Sequence, residues 1–225
     1  MRFTLFCLLG LLTAPAFAQG MSQAQLGWPG KRLDGVNCGG GSGGYGPYDA
    51  MDPRNRGHTL NIVYGAHFGH QVEHLIRGQT GSLLGDLDYT LRAIPNQHRA
   101  LFALIRLAFL GRRGYDRKLL YSPDSLTPPE CYLQRAVKFR PKDGQVRVLF
   151  GVYLFKRKRY KLALEQFDTA IKLMPESAEA HYNRGLTLAK LKRFKLAKAD
   201  AKRAYALGYP LHGLRNQLKR RGYWE

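Results

Sequence analysis

The sequence predicts an all-α protein built as a solenoid of stacked helical hairpins, and three observations carry that prediction. Pro141, Pro175 and Pro210 close similar helical segments at intervals of 34 and 35 residues, and self-similarity at such a period marks a repeated pair of helices. Small residues recur in register within the period, Gly151, Ala163 and Ala170 in one unit and Gly185, Ala197 and Ala204 in the next. Two antiparallel helices need small residues where they cross closely. From about residue 65 onward apolar residues return at helical spacing, and few runs alternate as a half-buried strand would. An array of this kind builds an open surface for a partner and does not by itself enclose a catalytic pocket.

Taken in chain order, residues 1–18 read as a secretory signal peptide. Arg2 supplies the charge, residues 3–13 an apolar stretch, and Ala16-Phe17-Ala18 a small-residue cleavage site. The apolar stretch is far short of the ~20 residues that a membrane-spanning helix needs. Cys7 follows Thr4-Leu5-Phe6, without the small residues that precede a lipoprotein cysteine. The expectation is a soluble protein exported to the periplasm or beyond, with no transmembrane segment after signal removal.

Residues 19–60 form an irregular, Gly-rich leader. They hold Gly30-Lys31-Arg32 and a glycine tract ending at Pro47, with almost no apolar periodicity, so the leader cannot build a core and reads as a surface-wrapping arm. No Gly-Lys-Ser/Thr follows the tract, which argues against a phosphate cradle. Residues 59–63 (TLNIV) read as a short extended segment. The mature chain keeps two cysteines, Cys38 and Cys131. In an oxidising compartment an even count points to a disulfide, and closing so long a loop is worth ~4 kcal/mol in the chain-entropy account.

Residues 61–210 carry the repeats, clearest in 144–177 and 178–210. Upstream, Leu83, Leu87, Thr90 and Pro95 stand at repeat spacing behind a short helix expected around residues 72–76. Residues 98–110 supply the next first helix and residues 131–141 its second, separated by an excursion over 111–127. Residues 211–225 read as a capping helix, with Leu214 and Leu218 inward and Arg215, Lys219, Arg220 and Arg221 outward, because the last repeat otherwise leaves apolar surface in water.

The succession Gly151, Leu154, Ala163, Phe167, Ala170, Pro175, repeated as Gly185, Leu188, Ala197, Ala201, Ala204, Pro210, resembles the tetratricopeptide repeat. The second copy has Ala201 in place of the bulky residue and one extra residue before its proline. The resemblance is weaker over 83–141, where Pro129 replaces an alanine, and absent before about residue 60. It implies a non-catalytic scaffold that holds a protein or peptide segment in a groove formed by the first helices. The inward residues there are expected to be Val148, Val152 and Phe155, then Tyr182, Asn183 and Leu186. Some relatives clamp a peptide carboxylate with Lys and Asn at set groove positions, and only Asn183 matches here.

The formal charge of +20 is concentrated in the repeats. Lys156, Arg157, Lys158, Arg159 and Lys161 surround one hairpin turn, and Lys190, Lys192, Arg193 and Lys195 surround the next, 34 residues on. Arg112 and Arg113 follow an earlier first helix. Equivalent turns stack side by side in a solenoid, so these residues are expected to form one basic ridge. Helix dipoles stabilise cations at carboxyl ends but not Lys161 and Lys195, which open the following helices. The excess points to an anionic partner such as a lipid headgroup or a polysaccharide. Nucleic acid is disfavoured by export and by the lack of regular aromatic interleaving, although Tyr160 and Phe194 flank the ridge.

The alternative reading is a metal-binding protein or metal-dependent enzyme. His67, His70 and His74 are spaced three and four apart, so on one helix they would share a face. No His-Glu-x-x-His and no completing carboxylate or cysteine pattern accompanies them, and no serine sits in a nucleophile elbow. Asp86 and Asp88, two apart, point away from each other. The sequence therefore assigns no catalytic residue, no metal and no cofactor.

Overall fold

The prolines set the frame. In a computed structural model of the chain, which describes residues 21–41, 44–110 and 127–224, helices begin three residues after Pro95, Pro141, Pro175 and Pro210. Proline cannot continue the helix before it, because it lacks an N–H donor, and after Pro141 and Pro175 the short linker also supplies a cap for the next helix. The side chain of Asp143 accepts from the Val146 N–H, and that of Ser177 from the Ala180 N–H.

The helices are α1 (Gln23–Leu26), α2 (His58–His67), α3 (His70–Glu73), α4 (Leu83–Ala93), α5 (His98–Leu110), α6 (Pro129–Phe139), α7 (Gly144–Lys156), α8 (Tyr160–Leu173), α9 (Ala178–Lys190), α10 (Phe194–Ala206) and α11 (Gly213–Lys219). A 3-10 turn lies at Pro53–Asn55. Among the described residues the only extended pairing is an isolated bridge between Lys31 and Asn37. The protein is all-α. The hairpins α5–α6, α7–α8 and α9–α10 stack in sequence. First helices α5, α7 and α9 pack on one another, whereas the second helices of successive hairpins do not to a comparable extent. First helices therefore line the inside of the curve.

Packing explains the small residues. A Cβ on Gly151 would sit 2.5 Å from the Phe167 ring, so the glycine lets α7 and α8 close around a fully buried phenylalanine. One repeat on, Ala201 leaves that space empty and Leu214 of α11 fills it; a Cβ on Gly185 would meet the Leu214 side chain at 2.5 Å. The capping element thus completes the last hairpin's own core.

Three expectations about the elements change. The capping helix expected over residues 211–225 is helical only at Gly213–Lys219. Beyond it Gly222 takes a left-handed φ of 72°, and the tail turns back so that Tyr223 stacks near Phe194 and Trp224 meets Tyr205 edge-on. Residues 59–63 are helical, inside α2. Leu60 and Val63, three apart, bury together against Ala93 and Ile94, and that tertiary face overrides the β-branched composition. The short helix expected near 72–76 is the single turn α3, followed by Leu75 at φ 61°.

The leader wraps the outside of α6. Leu26 is fully buried, and Gln134 donates to the Lys31 carbonyl at 2.8 Å. Glu130 accepts from the Leu33 N–H at 3.1 Å, and Thr127 donates to the Gly39 carbonyl at 2.7 Å. Cys38 and Cys131 are bonded in the structure, with Cα atoms 5.6 Å apart. Arg135, only 2% exposed, donates to the carbonyls of Gly27, Leu91 and Arg92 and to Gln23. Its ring partner is Trp28, 5.1 Å away, and burial pulls its pKa down to about 10. One cation thus serves both the leader and the open carboxyl end of α4.

Candidate functional site

The inner face begins on α5. Phe102 is 48% exposed, with the Arg106 guanidinium over its ring at 5.9 Å. Phe109 follows two turns on from Phe102 and carries the Lys156 ammonium over its ring at 5.4 Å, joining α5 to α7. Val152 and Phe155 continue the face, both half-buried, with Phe155 edge-on to Tyr160 at 5.4 Å. Leu186 and Asn183 extend it onto α9, half-buried; the Asn183 amide donates to the Glu179 carbonyl at 3.0 Å.

Two groove residues expected from the sequence are placed differently. Val148 has no exposure and belongs to the core. Tyr182 is 6% exposed because the Tyr209 ring stacks on it at 4.1 Å, and burial raises its phenol pKa. Phe102, Arg106 and Phe109 were missed, yet the repeat register contains them. They stand in α5 where Val148, Val152 and Phe155 stand in α7.

Because α7 and α9 run in the same direction, their carboxyl ends share one edge of the superhelix. Lys156, Arg157, Lys158 and Arg159 are exposed there, as are Lys161, Lys190, Lys192, Arg193 and Lys195. Arg112 and Arg113 lie outside the described residues. The two turns close identically, with Lys158 N–H to the Phe155 carbonyl and Lys192 N–H to the Ala189 carbonyl. Both lysines adopt left-handed φ, 61° and 60°, a conformation that glycine takes without cost. Lys158→Gly should therefore stabilise the fold by about 1 kcal/mol while removing a ridge charge. Urea denaturation checks it, and a destabilised variant would show that the lysine makes contacts worth more than the strain.

The histidine trio is split. Phe68 and Gly69 end α2 after His67, and His70 opens α3, so the three do not share a helix face. His67 lies 2.8 Å from Asp86 and 2.9 Å from the Thr80 hydroxyl and stacks on Tyr89. His70 and His74 stack on each other instead. Burial raises the Asp86 carboxyl, but hydrogen bonds from Thr80, His67 and Gln79 outweigh it and hold the group below the usual range. Among the described residues no three His, Cys, Asp or Glu side chains gather to hold a metal ion.

Similar His–Asp contacts tie helices together, within a hairpin or between hairpins. His98 reaches Asp143 at 2.9 Å, from the start of α5 to the cap of α7. His181 reaches Asp200 at 3.0 Å, and Arg184 clamps Asp200 and Asp168 at 2.7 and 2.9 Å. These groups are engaged in holding helices; His98 and Asp143 also line, with Asp49, Asn96 and Arg140, a cavity of about 650 Å3.

Residues 151–192 match the family model for the TPR repeat, a stretch that begins at the close-packed Gly151 and ends in the second basic turn. Residues 151–192 carry the tetratricopeptide repeat. The chain is similar to two solved structures of MamA AMB-1, each at 21% identity over 56% of this chain. The alignments cover 67% and 66% of those chains, about two thirds of their length, with TM-scores of 0.40 and 0.39. The chain is also similar to YrrB, described as a TPR protein with an unusual peptide-binding site, at 21% identity over 72% of this chain and 89% of that one, with a TM-score of 0.39. No curated protein matches the chain. Among the described residues of the repeat protein no helix is long and apolar enough to cross a membrane.

Proposed function

We propose that this repeat protein is a non-catalytic, exported scaffold whose inner face holds a protein segment and whose basic edge meets an anionic surface, a lipid headgroup or a polysaccharide. The observation that carries the first part is the open row of Phe102, Phe109, Val152 and Phe155 interleaved with Arg106 and Lys156. Two aromatic rings already carry cations on their faces, so the row suits an extended or helical peptide that sets acidic groups between apolar ones. Export is supported by the charged, apolar and small-residue order of residues 1–18, and the anionic partner by nine exposed cations on two adjacent turns.

Photo-crosslinking in intact cells tests the inner face. A crosslinker at Phe102 or Val152 should capture the same adduct, and one at Leu173, on a second helix, should not. Adding Arg106→Glu should lower the adduct by about tenfold, a loss of about 1.4 kcal/mol in partner affinity. Equal capture from both faces would overturn the assignment of the groove.

A further inference from the structure

The two basic turns are alike in sequence, but only the first has the leader set against it. Leader residues 31–37 form a tight loop, closed by the Arg32 N–H to the Val36 carbonyl at 2.7 Å and by the Lys31–Asn37 bridge. Gln134, Glu130 and the Cys38–Cys131 bond fix this loop on α6. It stands beside the turn between α7 and α8 and creates two adjoining cavities. One, of about 370 Å3, is walled by Leu33 and the run Lys156 to Arg159. The other, of about 530 Å3, has Phe150, Leu154, Leu162 and Leu33 among its walls and Lys31, Arg32 and Arg159 at its rim. Leu33 and Arg159 belong to both.

The charges there are unbalanced. Among the described residues Lys31, Arg157, Lys158 and Arg159 make no ion pair, while Arg32 pairs with Asp34 on the solvent side. The one acidic group in the walls, Glu130, is already bonded through one oxygen to the Leu33 N–H and through the other to the Tyr153 hydroxyl. In the next repeat Arg184, tied to Asp200 and Asp168, stands where Phe150 stands here, so the apolar floor is missing.

We propose that this two-part cavity binds an amphiphilic anion. The phosphate or carboxylate head lies among Lys31, Arg157, Lys158 and Arg159, and the alkyl chain lies over Phe150, Leu154 and Leu162 beneath the leader loop. The proposal rests on reading the basic edge as anion-binding, and it narrows that edge to one built site.

Titration with dodecyl phosphate below its micelle concentration tests it, with dodecyl maltoside as the uncharged chain and inorganic phosphate as the chainless anion. Dodecyl phosphate should bind once per chain, about tenfold or more tighter than either control. Arg159→Glu and Leu162→Asp, both at exposed positions, should each weaken it by about tenfold. Arg193→Glu and Leu196→Asp, the same changes one repeat later, should leave it within about twofold. Equal losses at both turns would overturn the built site and leave the basic edge standing; no loss from any variant would overturn both. Flotation with anionic vesicles then separates the sources. Arg159-dependent flotation assigns the ligand to a membrane, and titration without flotation assigns it to a free amphiphile.

Discussion

Replacing Phe167 by alanine should remove about 3–5 kcal/mol of folding stability. The ring is fully buried between α7 and α8, and the position facing it is Gly151, which has no side chain able to move into the space. A cavity left there stays open, so the cost falls at the upper end for its class. Against a total of about 5–15 kcal/mol for a typical domain, that is a large share. Urea denaturation followed by circular dichroism reads it directly. A loss under about 1 kcal/mol would mean that the two helices do not close on this ring as described. Gly151→Ala should be costly in the native chain, with its Cβ 2.5 Å from the ring, and should recover part of the stability when combined with Phe167→Ala, because the added methyl then enters vacated space.

Breaking the Cys38–Cys131 bond should cost nearly as much. The cysteines are 93 residues apart, and releasing a loop of that length returns about 4 kcal/mol of chain entropy to the unfolded state. For a domain of this size the midpoint of thermal unfolding should fall by about 8–16 °C, measured on oxidised protein against reduced protein or Cys38→Ser. The leader should also become sensitive to protease near residues 31–37, because the remaining ties of that loop are a few partly exposed hydrogen bonds. Two reactive thiols in protein purified without reductant would reject the bond.

The repeat frame was legible because it is written in residues whose physics is local. Prolines end helices, and glycine and alanine permit close crossings. The basic turns recur because equivalent turns do, and an even pair of cysteines behind a sequence that reads as an export signal points to its own bond. The features that escaped are those decided by distant neighbours. Residues 59–63 look extended by composition, yet Leu60 and Val63 find a buried face on α4. His67, His70 and His74 keep helical spacing on paper, but the turn at Phe68 and Gly69 separates them. Val148 and Tyr182 hold groove positions in the register, and burial removes both from the surface. No local signal announced that Leu214 would stand in for the phenylalanine missing at Ala201. Phe102, Arg106 and Phe109 could have been found by extending the register back from Pro141 to Pro95 across the excursion.

The leader has a mechanical consequence. In a repeat array each hairpin contacts only its neighbours, and a small rotation from one to the next sets the curvature. Here a covalently fastened strap runs over α6, is bonded to the end of α4 through Arg135 and Gln23, and reaches the walls that α7 and α8 contribute beside Leu33. Those hairpins are braced like ribs along a common stay. Among the described residues the strap reaches neither α9 nor α10, and the joint between α8 and α9 is held by side chains instead, Arg184 of α9 donating to Asp168 of α8 at 2.9 Å. A guest lying across the inner face would therefore meet covalently strapped hairpins on one side of that joint and a hairpin held by packing and ion pairs alone on the other.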